Sequence, residues 1–348
     1  MRRGVRDHGA ERRLRDRVHC RILTAPRIRS RCLQERPPVA PANVDTPGKR
    51  RHQMAEYENL YVDRVGTDDR VARITLNRPE KLNALSQELL YEFNDALHEL
   101  EADHTAHVII VRGEGRAFSA GYDLTPARGG ADAVVRQHRR LDDKGRRLLM
   151  GIRTGMQQIS DIHLYFWNMA KITIAQISGY AVAGGCELAM MADLVVAAED
   201  AQLGHPGLRG LGTSRTGVIW PLVIGMRKAK ELYYTGENVT GKEAEEIGMI
   251  NYSWPKEELE ENTIAFADRI ANMSADHLAI LKVNMNRFYE NMGIYSSVRT
   301  STDLDAAAQF TEYSYQWQDH MREEGLQGAL KWRDGPYRGT DTYKKKDG

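Results

Sequence analysis

The sequence is poor in cysteine, and this shortage excludes two kinds of cross-linked fold. Three cysteines occur in 348 residues. Cys20 and Cys32 lie in a basic leader, and only Cys186 lies in the part of the chain with periodic apolar residues. Neither a disulfide framework nor a zinc-ligand spacing can be built from this set. We therefore expect a protein of the reducing cytoplasm.

Long apolar runs and nucleotide-binding glycine motifs are also missing. The longest uncharged run extends from Ile172 to Cys186, which is shorter than the about 20 residues that a membrane-spanning helix needs. The sequence contains neither a Gly-rich P-loop nor a dinucleotide fingerprint. We therefore expect no membrane partner, no metal and no cofactor.

Charge is nearly balanced overall but unevenly distributed. Residues 1–53 hold 15 Lys/Arg and 5 Asp/Glu, a net charge of +10, whereas the remaining 34 Lys/Arg and 43 Asp/Glu give −9. An acidic body is a poor electrostatic match for nucleic acid. We expect no nucleic-acid partner, and RNA binding through the basic leader is kept as an alternative.

The leader, residues 1–53, is rich in arginine and lacks hydrophobic periodicity, which predicts disorder. It could be a transit peptide, a basic arm for RNA or membrane, or an extension upstream of a start at Met54. A transit peptide should be Ser-rich and acid-poor, but this segment has one serine and five acidic residues. A basic arm would interleave aromatic residues. The third interpretation is therefore favoured.

Strand and helix patterns alternate after about residue 57. The patterns predict a hairpin of strands 60–65 and 71–76, a helix capped by Ser86, and strands at 108–111, 172–177 and 194–198. Helices are predicted at 257–272, at 275–291 with Ser274 as cap, and at about 304–323. The alternation predicts an α/β fold with a mostly parallel sheet and helices packed outside it.

Two glycine-centred segments, 117–124 and 179–188, each follow an apolar strand and lead into a predicted helix. The first N–H groups of a helix have no partner within it, so such turns expose backbone amides. Two turns facing one point would form a socket for a developing oxyanion. Glu187, three residues after Gly184, would stand beside that socket as an acid–base group.

These two segments resemble the signature of the crotonase (enoyl-CoA hydratase/isomerase) superfamily. Residues 77–85 resemble its early CoA-contacting loop, residues 201–207 its second active-site loop, and residues 324–333 its C-terminal tail. The resemblance implies a ββα-spiral core over residues 54–255 and a helical region over residues 256–348 that forms trimers or dimers of trimers. Segment 125–168 is an insertion near the acyl-binding wall or a surface or subunit-contact helix.

The resemblance also implies residue roles. The N–H groups of Ala120 and Gly184 would hold the thioester oxygen of an acyl-CoA. Glu187 would move the proton, and burial is expected to raise its pKa. Further substrate contacts are expected from Gly121, Tyr122, Asp123, His205 and Gly207. Weaker CoA contacts are expected from Arg78, Lys81, Leu82, Ala84 and Lys282.

Gly207 departs from the family, because the resemblance places a second glutamate there in typical hydratases. Three outcomes stay open. In the first, Glu187 alone catalyses a hydration or dehydration, with water held by His205, Ser214 or the backbone. In the second, the protein isomerises or hydrolyses a bulky or cyclic acyl-CoA. In the third, it binds acyl-CoA without turnover. We predict the first, a hydratase-like lyase. Arg215 is interpreted as a solvated arginine, with an acyl or phosphate contact as the alternative.

Overall fold

The computed structural model describes residues 55–124, 142 and 146–340. These residues belong to one compact unit of the chain, His52–Gly348. The predicted basic extension, residues 1–53, lies outside the described residues, as does nearly all of the stretch 125–145 within the predicted insertion.

Within the described ranges, the main sheet has six strands in the order β1-β2-β3-β5-β7-β10. β1 and β2 form the predicted antiparallel hairpin, and the other neighbouring pairs are parallel. The predicted strands are therefore confirmed nearly to the residue. The bounds are β1 (Leu60–Val65), β2 (Val71–Leu76), β3 (Val108–Gly113), β5 (Ile172–Ile177), β7 (Leu194–Ala198) and β10 (Tyr252–Trp254).

A second sheet of short strands has the order β4-β6-β8-β9. Its members are β4 (Ala117–Ser119), β6 (Tyr180–Val182), β8 (Gln202–Gly204) and β9 (Asn238–Thr240). Three residues are too few to show a periodic pattern, so the sequence did not predict this sheet. β4, β6 and β8 are parallel, and the chain therefore leaves all three at the same edge of the sheet. The turns that follow them are brought together there.

The helices pack around these sheets. Ser86 and Ser274 cap α1 and α7 as predicted, each accepting a backbone N–H from the first turn. Among the described residues, no helix is both long enough and apolar enough to cross a membrane. The bounds are α1 (Gln87–Ala102), α2 (Leu149–Asn168), α3 (Gly184–Ala189), α4 (Trp220–Thr235), α5 (Gly241–Glu246), α6 (Leu259–Ala271), α7 (Ala275–Asn291), α8 (Ile294–Ala308), α9 (Glu312–Glu323) and α10 (Gly325–Asp334).

The prediction of one long helix over residues 304–323 is wrong. The chain breaks between α8, which ends at Ala308, and α9, which begins at Glu312. Thr311 has an extended backbone and its hydroxyl accepts the N–H of Ser314, so it caps a new helix. The break ends α8 three residues after Asp305.

Candidate active site

A cavity of about 510 Å³ opens where the turns after β4, β6 and β8 meet α8 and α10. This volume is in the range of ligand pockets in proteins. Eight of the predicted residues line it: Lys81, Leu82, Ala84, Ala120, Tyr122, Asp123, His205 and Gly207. Lining residues that the sequence analysis did not assign include Ala183, Thr213, Asp305, Leu326, Gln327 and Arg333.

The two glycine turns meet beside this cavity. Gly121 has a φ of +94°, and a Cβ atom placed on it would lie 2.9 Å from the Gly184 nitrogen. A Cβ atom on Gly184 would lie 2.5 Å from the ring of Tyr122. Glycine alone tolerates both the positive φ and these approaches without displacing a neighbour. The turns therefore converge in the structure as the sequence analysis expected.

The amide that was expected to pair with Gly184 is engaged elsewhere. The N–H of Ala120 donates to the carbonyl oxygen of Leu82 at 2.9 Å. Leu85 lies in the same early loop, residues 77–85. Its N–H donates to the carbonyl oxygen of Gly121, and its carbonyl oxygen accepts the N–H of Asp123, so it binds the residues on both sides of Tyr122. The N–H of Tyr122 thus faces away from Leu85 and has no acceptor among the described residues. The structure replaces Ala120 by Tyr122 as the candidate donor.

The second donor stands at the start of a short helix. Gly184 is the first residue of α3, so its N–H has no partner within the helix. Ala183, just before it, has φ 51° and ψ −127°. Such a conformation costs a non-glycine residue about 1–3 kcal/mol, and strain of this kind is typical of functional turns. It fixes the direction in which the chain enters α3.

Glu187 is almost completely buried, with 1% of its surface exposed. The Tyr122 hydroxyl donates to its Oε2 at 2.6 Å, and the backbone N–H of Arg215 donates to its Oε1 at 2.5 Å. The Nε2 atom of His205 lies 3.5 Å from Oε1. Because Tyr122 lines the cavity and Glu187 does not, the carboxylate contacts the cavity wall from its buried side.

The pKa of Glu187 is lowered, which contradicts the expectation from burial. Burial by itself raises the pKa of this carboxyl group. The interaction with His205 and the positive charge of Arg215 act in the opposite direction and outweigh it. Glu187 is therefore held as a carboxylate at neutral pH.

Arg215 is part of the site, so its interpretation as a solvated surface residue is wrong. It is buried, and its guanidinium lies 4.0 Å from the centroid of the Tyr122 ring. One terminal nitrogen is 3.9 Å from Glu187 Oε2, and Nε is 3.5 Å from Asp305 Oδ2. One cation therefore stands between two carboxylates from distant parts of the chain.

His163 of α2 packs behind Tyr122, with ring centroids 6.3 Å apart. It is completely buried, and burial lowers its pKa to about 4. Neither ring nitrogen has a hydrogen-bond partner among the described residues. His163 is thus a neutral ring at neutral pH, and it supports Tyr122 by packing.

Gly207 packs closely against His205 in the cavity wall. A Cβ atom on Gly207 would lie 3.1 Å from His205 Cε1 and 3.3 Å from its Nδ1. His205 was expected to contact the substrate, and it lines the cavity. Its Nε2 points to Glu187, and its Nδ1 has no partner among the described residues. The loop brings no carboxylate to this position.

Arg78 and Asp123 stabilise the first turn. The two side chains form an ion pair at 3.1 Å, and Arg78 also donates to the carbonyl oxygen of Ala84 at 2.5 Å. Asp123 was expected to contact the substrate and lines the cavity, whereas Arg78 does not line it. Arg78 thus holds the early loop against the turn, and its CoA contact stays a prediction.

Lys282 does not lie at this cavity, which contradicts its expected role in CoA binding. Its Nζ is buried and donates to Asp193 Oδ2 at 2.7 Å and to the carbonyl oxygen of Lys171 at 2.9 Å. Asp193 in turn accepts from the N–H and the hydroxyl of Thr173. Lys282 joins α7 to the main sheet.

Comparisons with known proteins agree with this architecture. The profile of a family described as enoyl-CoA hydratase/isomerase matches residues 66–338. A Mycobacterium bovis protein named "Probable enoyl-CoA hydratase echA8" is 34% identical over 245 residues, which cover 68% of this chain and 84% of that protein.

Solved structures give the same result. An enoyl-CoA hydratase from Mycobacterium smegmatis superposes on this protein with a TM-score of 0.72 at 33% sequence identity. The match covers 80% of this chain and 94% of the M. smegmatis chain. An enoyl-CoA hydratase/isomerase from Xanthobacter autotrophicus Py2 has a TM-score of 0.71 at 31% identity, with 81% and 99% covered. The α/β crotonase fold predicted from the sequence is confirmed.

Proposed function

This chain belongs to the enoyl-CoA hydratase/isomerase family, and on that premise we propose that it is an enoyl-CoA hydratase-like lyase acting on an acyl-CoA thioester. One observation carries the proposal. The turns at Gly121 and Gly184 meet beside a cavity, and the buried Glu187 carboxylate is joined to the wall of that cavity through Tyr122.

In the proposed reaction the thioester oxygen accepts hydrogen bonds from the N–H groups of Tyr122 and Gly184. Negative charge collects on this oxygen when water adds to the double bond. Backbone donors stabilise such charge without reorganising, and one donor of this kind is typically worth about 3–4 kcal/mol. Two donors from separate turns fix the carbonyl group in one orientation.

Glu187 acts as the base in this proposal. Its lowered pKa keeps it ionised, which is the form in which a carboxylate can accept a proton. The carboxylate is bound to the Tyr122 hydroxyl in this structure. The proposal therefore requires that the acyl group displaces this hydroxyl or that a water molecule takes its place on Oε2. No metal or organic cofactor takes part, and CoA is part of the substrate.

Lys81, Leu82 and Ala84 support binding of the CoA portion. They line the cavity on the early loop, and the side chain of Lys81 is exposed there. A flexible ammonium at the rim suits a solvated phosphate, which it would contact as a point charge.

An isomerase or C–C hydrolase of a bulky or cyclic acyl-CoA is the second candidate. The burial of Glu187 favours the isomerase of these two, because a carboxylate shielded from bulk water is well placed to move a proton within an acyl chain. Gly207 lines the cavity without a side chain, so no side chain at this position narrows the space for a larger acyl group.

We also propose a homotrimer or a dimer of trimers. Helix α7 exposes a set of large apolar side chains whose burial in an assembly would remove them from water: Ile280, Val283, Met285, Phe288 and, just after the helix, Met292. Sedimentation analysis at a series of micromolar protein concentrations tests this assembly, and a monomer at every concentration would contradict it.

The test of the function is a panel of linear, branched and cyclic enoyl-CoA and oxoacyl-CoA esters followed by mass spectrometry. A gain of one water on a linear or branched enoyl-CoA ester identifies the hydratase, and a gain of one water on a cyclic oxoacyl-CoA ester whose fragmentation shows an opened ring identifies the hydrolase. An unchanged mass with a double bond moved, as located by fragmentation, identifies the isomerase. Glu187→Gln should lose most of the turnover, by roughly 100- to 10,000-fold.

Glu199→Gln is the matched control, because Glu199 is an exposed glutamate at the end of β7. It should keep the wild-type rate. Full activity of Glu187→Gln would contradict the role of Glu187 as the base. If the wild type turns over none of the esters, the proposed activity is ruled out.

A further inference from the structure

A second carboxylate reaches the candidate active site from an element that the sequence did not connect with it. Asp305 lies on α8, lines the cavity, and is 6% exposed. Gly207 leaves the loop after β8 without a carboxylate. The described residues that line the cavity include two other acidic side chains, Glu80 and Asp123, and Asp123 is paired with Arg78.

We propose that Asp305 is the catalytic acid of this site and completes the reaction begun by Glu187, an inference that rests on the proposed function. Glu187 takes a proton from water while the oxygen of that water bonds to Cβ, and the electrons of the double bond move to the thioester as an enolate. Asp305 then gives its proton to Cα. Atoms and charge balance, since the proton on Glu187 returns to Asp305 through solvent.

The carboxyl group of Asp305 is held in one orientation. Its Oδ1 accepts the N–H of Thr213 at 2.9 Å, and it contacts Gly212 so closely that a side chain there would collide with it. Its Oδ2 faces Nε of Arg215 at 3.5 Å. The side chain is therefore fixed by the loop that follows Gly207, the loop whose family counterpart would carry the glutamate.

The charges around Asp305 separate its behaviour from that of Glu187. The groups that face it include Arg215, Glu187, His205, Tyr122 and the N–H of Thr213. Burial raises the pKa of Asp305 to about 6, because the lowering by Arg215 and by the Thr213 N–H is incomplete and Glu187 raises it further. Two carboxyl groups whose pKa values are driven apart in one site are the usual arrangement of a base and an acid.

A purely structural pairing with Arg215 makes a different prediction from this one. If Asp305 only held Arg215, its replacement would lower the melting temperature and affect kcat and KM without changing the shape of the pH profile. A catalytic acid is active when protonated, so the wild-type kcat/KM should fall as the pH rises through about 6.

The experiment compares the wild type, Asp305→Asn and Asp303→Asn on the ester that the wild type turns over. Asp303 lies on the same helix, is half exposed and pairs with Arg153 on the surface. We expect Asp305→Asn to lose roughly 100-fold or more in kcat and to lose the decline near pH 6. Asp303→Asn should stay within about threefold of the wild type, since exposed pairs contribute little.

The outcomes are distinguishable. An active wild type together with an Asp305→Asn variant that keeps its rate and its pH profile overturns the role of Asp305 and leaves the proposed function standing. A wild type that turns over none of the esters overturns both. If Asp305→Asn does not fold by circular dichroism, the wild-type profile decides, and a rate that does not decline between pH 5 and 8 overturns the proposal.

Discussion

Replacing Tyr122 by phenylalanine tests whether the buried hydrogen bond to Glu187 is as strong as its environment indicates. The substitution removes only the hydroxyl group that donates to Oε2 at 2.6 Å. The ring keeps its packing on Gly184 and its contact with the Arg215 guanidinium. A hydrogen bond to a charged group contributes about 1.5–3 kcal/mol, so Tyr122→Phe should lower the free energy of unfolding by that amount at pH 7.

The pH dependence of this loss has a definite sign. The folded-state pKa of Glu187 is lowered, so its ionisation stabilises the fold above the ordinary glutamate pKa, and this stabilisation is lost as the pH falls through the lowered value. Removing the hydroxyl raises the pKa toward its ordinary value. The difference between wild type and variant should therefore be full at pH 7 and shrink only below about pH 4.

Urea unfolding at equal protein concentration measures the loss. Tyr61→Phe is the matched control, because its hydroxyl donates to Glu114 Oε2 at 3.0 Å on the exposed surface. That pair should contribute less than about 1 kcal/mol. The reasoning is refuted if Tyr122→Phe is as stable as the wild type, or if Tyr61→Phe loses as much.

Three further substitutions test other parts of the structure. Lys282→Met leaves the Asp193 carboxylate without its cation and should cost about 3–5 kcal/mol in urea unfolding, while the KM for the acyl-CoA stays unchanged because Lys282 lies away from the cavity. Gly207→Ala forces His205 to move by a few tenths of an ångström and should raise the KM of the bulkiest accepted ester more than that of the smallest. Ala183→Gly relieves a positive φ that costs about 1–3 kcal/mol and should raise the melting temperature, with the gain reduced by about 0.5–1 kcal/mol of glycine entropy.

The main sheet and several helix caps could be predicted because their signals are local. An apolar run such as Ile172–Ile177 is enough to predict a buried strand, and Ser274 predicts the start of the helix that it caps. The strands of the second sheet are three residues long and carry no such signal. The sequence pattern also predicted one helix across the end of α8 and all of α9. Both helices are amphipathic, and the cap at Thr311 interrupts the pattern for only three residues.

The candidate site could be predicted where its parts are contiguous in sequence. Gly184 and Glu187 stand three residues apart in one turn, and the family resemblance identified both. Which amide is free could not be predicted, because it depends on Leu82 accepting the N–H of Ala120. Asp305 gave no signal, since α8 reaches the loop after β8 only through tertiary packing.

The three charges at the centre of the site favour a proton on Asp305 when substrate is bound. Glu187 is ionised and Arg215 carries one positive charge, so the cluster of these three groups is neutral when Asp305 is protonated and carries −1 when it is ionised. An acyl thioester that fills the cavity removes water from Asp305, and a lower local dielectric disfavours the charged form. Binding should therefore raise the pKa of Asp305 above its value in the free protein.

On the proposed assignment, the decline of kcat lies at a higher pH than the decline of kcat/KM, because the first reports the complex and the second the free enzyme. Coincident declines in the two profiles would contradict this coupling between substrate binding and the proton on Asp305.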